Sequence, residues 1–158
     1  MVRFKNRYIV IEVNPVEKLK KGINLRSSLL YNSVITAVQK FHGDFGVAAI
    51  RAGLSAKYCN EVTRTALIRL RHGPHRLLSS ILPLVNEIGY QKVQVKTLYV
   101  GATLKQCYKF LRNYQKQMLM KIWRSLETKE LQTQMEESIM DLTPVINFDE
   151  RTFKSKEE

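Results

Sequence analysis

The order of hydrophobic patterns along this 158-residue chain predicts an α+β fold of the ferredoxin-like type: a four-stranded antiparallel sheet, two helices on one of its faces, and added C-terminal helices. Three observations predict it. Segments with β-branched or alternating character and segments with helical apolar spacing follow one another as strand, helix, strand, strand, helix, strand, helix. The length suits a single domain with a core of useful size and a tail left over. The charge is divided, with 22 Lys and Arg against five Asp and Glu before residue 127, a net of +17, and four against nine from there on, a net of −5. The domain is therefore drawn as 1–126, with 127–158 as an acidic helical or partly disordered tail.

Tyr8 to Val13 opens the fold, with Ile9, Ile11 and Val13 on one face, and Asn14-Pro15 stops it. Val16 to Gly22 is a polar connection. Asn24 then caps a helix whose apolar positions Leu30, Val34, Val38 and Phe41 recur every three to four residues, and Gly43 ends it. Phe45 to Tyr58, rich in Val, Ala and Ile but broken by Gly46 and Gly53, reads as a bent or bulged strand. After a turn at Asn60-Glu61, Thr63 to Arg71 reads as a strand with Ala66, Ile68 and Leu70 on one face and Thr65, Leu67, Arg69 and Arg71 on the other, which makes that second face basic. Gly73-Pro74 starts a helix with the stripe Leu77, Leu78, Ile81, Leu82 and Val85, kinked by Pro83 and closed by Gly89. Val93 to Tyr99 alternates as the last strand and stops at Gly101. Thr103 caps a long helix to Leu126, with Leu104, Cys107, Leu111, Tyr114, Met118 and Ile122 as its apolar stripe and Lys105, Lys109, Arg112 and Lys116 as a basic one. Glu127 to Leu142 continues as an acidic amphipathic helix, and fraying is expected from Thr143-Pro144 onward. The apolar stripe of the Thr103 helix has to be buried, and the uncovered sheet face is the nearest surface, so the open-sheet mode of RNA binding is expected to be blocked.

A basic body with an acidic end points to nucleic acid as partner. Membrane is the weaker reading, because the cations are spread over strands and helices and no apolar run approaches the ~18 residues of a span. The N-terminus lacks the hydrophobic region of a signal peptide. Cys59 and Cys107, 48 residues apart without Cys or His at ligand spacing, read as reduced thiols of the cytosol or nucleus. His72 and His75 flank Gly73-Pro74 at a spacing that can touch a metal, but without a nearby carboxylate or thiol they read as loop and helix-start residues, and no metal site is assigned. His42, ahead of Gly43, reads as a favourable cation at a helix C-terminus. Ser27 and Ser28 lack a nucleophile-elbow context, and there is no Gly-rich phosphate loop of the Walker type. No catalytic residue is assigned.

Three stretches carry a family likeness: Val2-Arg3-Phe4-Lys5-Asn6-Arg7-Tyr8, Phe41-His42-Gly43-Asp44-Phe45-Gly46, and Tyr99-Val100-Gly101-Ala102-Thr103-Leu104-Lys105-Gln106-Cys107-Tyr108-Lys109-Phe110-Leu111. In this order, over residues 1 to 120, the chain resembles the Pop-five family of protein subunits of eukaryotic ribonuclease P and ribonuclease MRP. The resemblance implies an RNA-recognition-motif-like subunit without chemistry of its own, nuclear and nucleolar. It implies a place in ribonucleoproteins whose RNA removes the 5′ leader of precursor tRNA or cleaves ribosomal RNA precursors. It further implies that the protein binds no cofactor and that magnesium sits on the partner RNA. The implied partners are the ribonuclease P and MRP RNAs, precursor tRNA nearby, an Rpp-thirty-type barrel subunit and the other protein subunits, and no membrane. The family's paired glycines read here as Gly101-Ala102, so a turn needing positive φ at 102 would be strained.

Such a protein helps by screening phosphate repulsion where RNA helices pack. The candidate RNA-binding residues are Arg3, Lys5, Arg7 and Tyr8 on the arm and first strand, Arg69 and Arg71 on a strand face, and Gly101, Thr103, Lys105, Lys109 and Arg112 at and along the last helix. The amides at Thr103 suit a phosphate, Gly101 allows close approach, and Tyr8 or Tyr99 suits stacking on an unpaired base. Two alternatives stand beside this reading. One is a small acylphosphatase-like hydrolase, disfavoured because Asn14-Pro15-Val16-Glu17-Lys18 follows the first strand where a Gly-rich loop with Arg is needed. The other is a protein-interaction module with incidental basic charge, whose binding would survive high salt.

Overall fold

Antiparallel pairing around one central strand organises this chain. The computed structural model describes residues 5–16 and 23–123. Arg3, most of the connection after the first strand, the end of the last helix and the acidic tail lie outside the described residues. Contacts divide the chain into two units, Met1–Leu111 and Arg112–Glu158. The elements are β1 (Asn6–Pro15), α1 (Ser27–Arg51), β2 (Ser55–Asn60), β3 (Thr65–Arg71), α2 (His75–Ile81) followed by a 3₁₀ turn (Leu82–Leu84), β4 (Glu87–Ile88), β5 (Gln91–Gly101) and α3 (Leu104–Trp123).

The sheet of the first unit has the order β2-β3-β1-β5-β4, every pair antiparallel. Alternation along the strands feeds two cores. Ile9, Ile11 and Val13 of β1 join Ala66, Ile68 and Leu70 of β3 and Val93 and Val95 of β5 under α1 and α2, which contribute Leu30, Val34, Val38, Ile50, Leu78 and Ile81. The opposite face holds a smaller cluster, in which Val10 and Leu67 from the sheet meet Cys107 and Leu111 from the first two turns of α3. A bulge sharpens this second cluster. Val10 pairs with Tyr99 and Ile11 with Thr97, so Leu98 is the extra residue of β5, and both Leu98 and Tyr99 pack against the α3 cluster.

Several expectations are corrected. The sheet has five strands, because Glu87 and Ile88 pair with Lys92 and Gln91 in a hairpin whose two central residues, Gly89 and Tyr90, have φ of +54° and +67°. Positive φ at both positions is the primed turn that matches strand twist, so Gly89 closes a hairpin and not a helix. Asn24 does not cap α1. Its own N–H donates to Gln91 Oε1 at 3.1 Å, and the helix starts after Arg26, whose carbonyl accepts from Leu30 N–H at 3.0 Å. Gly43 does leave helical geometry, at φ 62° and ψ −158°, yet the helix resumes and runs to Arg51, so the segment after Gly43 is helical and β2 spans only six residues. The resumed turn needs a glycine at 46, where an added Cβ would collide with His42 Cβ. His42 therefore sits at an internal kink and not at a helix end, and Phe41, expected in the core, is exposed. The supposed basic face of β3 is largely covered: Leu67 is fully buried against the first turns of α3, Thr65 is fully buried as well, and Arg69 and Arg71 lie toward its open end.

Candidate nucleic-acid interface

Antiparallel pairing brings the start of β1, the end of β3 and the end of β5 to one edge of the first unit. Tyr8 is the hub, opposite Arg69 on β3 and Gly101 on β5, and Asn6 stands opposite Arg71. Residues in one cross-strand row share a face, so Tyr8, Arg69, Arg71 and Gly101 lie on the α3 side of the sheet. Arg7 pairs with Leu70, a residue of the main core, and belongs to the opposite side. The predicted arm is thus split by the pleat: Arg7 does not join Arg69 and Arg71. Lys5 is exposed just ahead of β1, with its carbonyl accepting from His72 N–H at 2.8 Å.

Gly101 earns its place through packing, with no left-handed backbone involved. A Cβ there would stand 2.6 Å from Cys107 Sγ and 2.9 Å from Tyr99 Cε1, so a side chain would wedge α3 off the strand. Cys107 in turn reaches the Tyr8 carbonyl with its thiol at 3.8 Å. Ala102 is absent from the residues with positive φ, so the departure from paired glycines brings no backbone strain. Thr103 caps α3, its Oγ1 accepting from Gln106 N–H at 3.3 Å. Lys105 and Lys109 project from the exposed face of α3 within the first unit, and Arg112 and Lys116 are exposed within the second.

The aromatic candidates are engaged in packing. Tyr8 is half-buried against the α3 cluster, and the Tyr99 ring stacks on Phe110 with centroids 4.8 Å apart and planes within 11°. Arg69 is half-buried, and its Nε is covered without a hydrogen-bond partner. Burial pushes both thiols up, Cys59 and Cys107 each to about 11, so neither is a thiolate at neutral pH. Seventeen Lys and Arg stand against four carboxylates, Glu12, Asp44, Glu61 and Glu87, among the described residues. Glu12 pairs toward Thr65 and Lys96, and Glu87 toward Lys92, at the opposite end of the strands from Gly101. No helix among the described residues is long and apolar enough to cross a membrane. No sequence pattern signals the cavity beside α1, an open groove of about 490 Å³ with Leu29, Phe41, Leu84 and Tyr90 on its walls. It brings none of the predicted site residues together.

The model of the Rpp14/Pop5 family matches residues 7–112. The chain belongs to the Rpp14/Pop5 family. Relatives agree: it is 34% identical over 134 residues to the ribonuclease P/MRP protein subunit POP5 of Danio rerio, covering 81% of this chain and 79% of that one. To the Bos taurus protein of the same name it is 33% identical over 124 residues, with 76% and 72% covered, and to the Homo sapiens one 32%, with 76% of each covered. A chain of the cryo-EM structure of yeast ribonuclease MRP shares the fold, with a TM-score of 0.52 at 14% identity over 74% of this chain and 95% of that one. The matched Rpp14/Pop5 span starts at Arg7 and ends at Arg112, so it includes Tyr8, Arg69, Arg71 and Gly101 of this edge.

Proposed function

We infer that this Rpp14/Pop5 chain is a non-catalytic protein subunit of ribonuclease P and ribonuclease MRP, which binds and braces their RNA for 5′-leader removal from precursor tRNA and for ribosomal RNA precursor processing. The observation that carries this reading is a matched family span whose described residues hold fourteen cations against four carboxylates, with its cationic strand ends and the start of α3 at one edge of the sheet. Lys105, Lys109, Arg71 and Lys5 there are suited to phosphate, releasing counterions as RNA helices close on one another. The covered Nε of Arg69 is a donor that an acceptor brought by RNA would satisfy after a small movement.

Catalysis in this reading belongs to the RNA and its magnesium ions, with precursor tRNA close by. The sheet order β2-β3-β1-β5, with β4 as an added hairpin, supports a ferredoxin-like core. α3 covers the sheet face that an open RNA-recognition domain uses, so binding goes through the edge and the outer face of α3. A barrel-type Rpp-thirty partner and a nuclear and nucleolar location complete the proposal. Purification of the tagged chain from cells, with sequencing of the RNA it retains, tests it. Recovery of ribonuclease P or MRP RNA supports it, and recovery of the protein without either RNA refutes it.

A further inference from the structure

The groove beside α1 takes no part in the edge described above. Its volume of about 490 Å³ lies within the range of ~300–1,000 Å³ in which small ligands are held. α1 lines one wall at helical spacing, through Leu29, Ser33, Thr36 and Lys40, and the other wall is the β4–β5 hairpin with the turn before it, through Leu84, Asn86 and Tyr90. Tyr90 is 98% exposed and Phe41 46%. Tyr90 also has φ of +67°, one of two non-glycine residues with positive φ among the described residues. A primed two-residue turn favours Asn-Gly, whereas this one reads Gly89-Tyr90, so a tyrosine stands where glycine fits best. Full exposure of a large ring and a left-handed backbone are both unfavourable, and residues held in such backbone conformations cluster where ligands bind.

The polar side chains of the groove are spare. Asn32, Ser33, Thr36 and Asn86 have no side-chain hydrogen bond among the described residues. Two amides and two hydroxyls supply donors and acceptors together, as the edge of a nucleobase and its ribose require. The Lys40 Nζ lies 5.8 Å from the centroid of the Phe41 ring, so a cation and an aromatic face occur side by side. Glu87 is the one acid lining the groove, and it stands opposite Lys92 in the hairpin, which offsets its charge. The described residues of the first unit hold fourteen cations against four carboxylates, a field that draws a polyanion. A purely apolar peptide would bury the four spare side chains without partners, at a cost that a base does not incur.

We propose that this groove holds an unpaired nucleotide of RNA, with the base against the rings of Tyr90 and Phe41, its edge met by Asn32 and Asn86, the ribose by Ser33 and Thr36, and the phosphate by Lys40. The proposal rests on the RNA-binding reading and adds to it a site for single-stranded segments. Stacking on an aromatic ring needs a base whose face is free, and the bases of an A-form duplex are stacked on one another. The groove therefore separates single strand from duplex, whereas the phosphate contacts of the edge and α3 do not.

The test compares binding of the full chain to a single-stranded RNA of about ten nucleotides and to a blunt RNA duplex of the same length. Tyr90→Gly is expected to weaken single-strand binding about tenfold and to leave duplex binding unchanged, while Tyr90→Phe, which keeps the ring, is expected to bind as the parent does. Glycine adopts the φ of +67° at this position readily, so the thermal midpoint of Tyr90→Gly is expected at or above that of the parent, and lost affinity is not lost fold. Phe41→Ala, at an exposed position of α1, is expected to weaken the single strand in the same way. An equal loss on the duplex overturns base stacking. Unchanged single-strand affinity in Tyr90→Gly overturns this site and leaves the general reading intact, and if that variant instead loses a protein subunit from the purified particle, the occupant is a protein. Absence of binding of the parent to either RNA overturns both.

Discussion

Replacing Gly101 with alanine tests how α3 is seated on the sheet. The added Cβ would stand 2.6 Å from Cys107 Sγ and 2.9 Å from Tyr99 Cε1, against the 3.4–4 Å of ordinary contact. Neither neighbour has room to give, because Cys107 is fully buried and Tyr99 is stacked on Phe110. Overpacking of this kind costs about 1–3 kcal/mol. If the first turns of α3 lift instead, Leu111 leaves its pocket beside Val10 and Leu67, a loss of about 1.5–3 kcal/mol for a leucine. Either route gives Gly101→Ala a destabilisation of about 2 kcal/mol, seen as a drop of roughly 4–8 °C in Tm for a domain of this size. Urea unfolding followed by circular dichroism measures the same quantity isothermally. Ala102→Gly is the control: Ala102 is exposed and free of positive φ, so it is expected to cost no more than about 1 kcal/mol. A Gly101→Ala protein as stable as the parent would mean that α3 does not lie against β5 as described.

Other outcomes follow from the same geometry. Leu111→Ala is expected to lose about 2–4 kcal/mol in urea unfolding, because the side chain is 3% exposed within the small second core. Thr103→Ala is expected to cost about 0.5–1 kcal/mol, the low end for a cap, since its hydrogen bond to Gln106 N–H is long at 3.3 Å. Both thiols are raised in the folded state from 9.0 to about 11, so they contribute stability that is fully present below pH 9 and is lost between about pH 9 and 11. Reaction of the native chain with a thiol-disulfide reagent at pH 8 is accordingly expected to be slow and to track unfolding. Fast labelling of Cys107 in the native chain would contradict its burial.

The parts of this fold legible in the sequence are those where period and punctuation agree. β1, with Ile9, Ile11 and Val13 inward and Pro15 at its end, is one. The end of β5 at Gly101 and the cap at Thr103 are others, because the glycine and the hydroxyl each serve a local physical need. Asp44 to Arg51 was misleading because Val, Ala and Ile suit either a strand or a buried helix turn, and Gly43 is a kink that the helix survives. β4 was hidden because a two-residue strand has no period and because Tyr90 adopts φ of +67°, a conformation that tyrosine does not advertise. The candidate interface was legible as charge but not as a surface. Alternation places Arg69 and Arg71 together, and the same alternation along β1 puts Arg7 with Ile9 and Ile11 on the other side.

The salt dependence of RNA binding tests most directly whether the outer face of α3 and the edge beside it hold phosphate. Lys105 and Lys109 are exposed and carry none of the core, so Lys105→Glu with Lys109→Glu is expected to leave the unfolding curve unchanged. The slope of log Kd against log salt for ribonuclease P RNA should fall by about 1.4–1.8, the value for two lost phosphate contacts. An identical slope for the double variant and the parent would contradict the account.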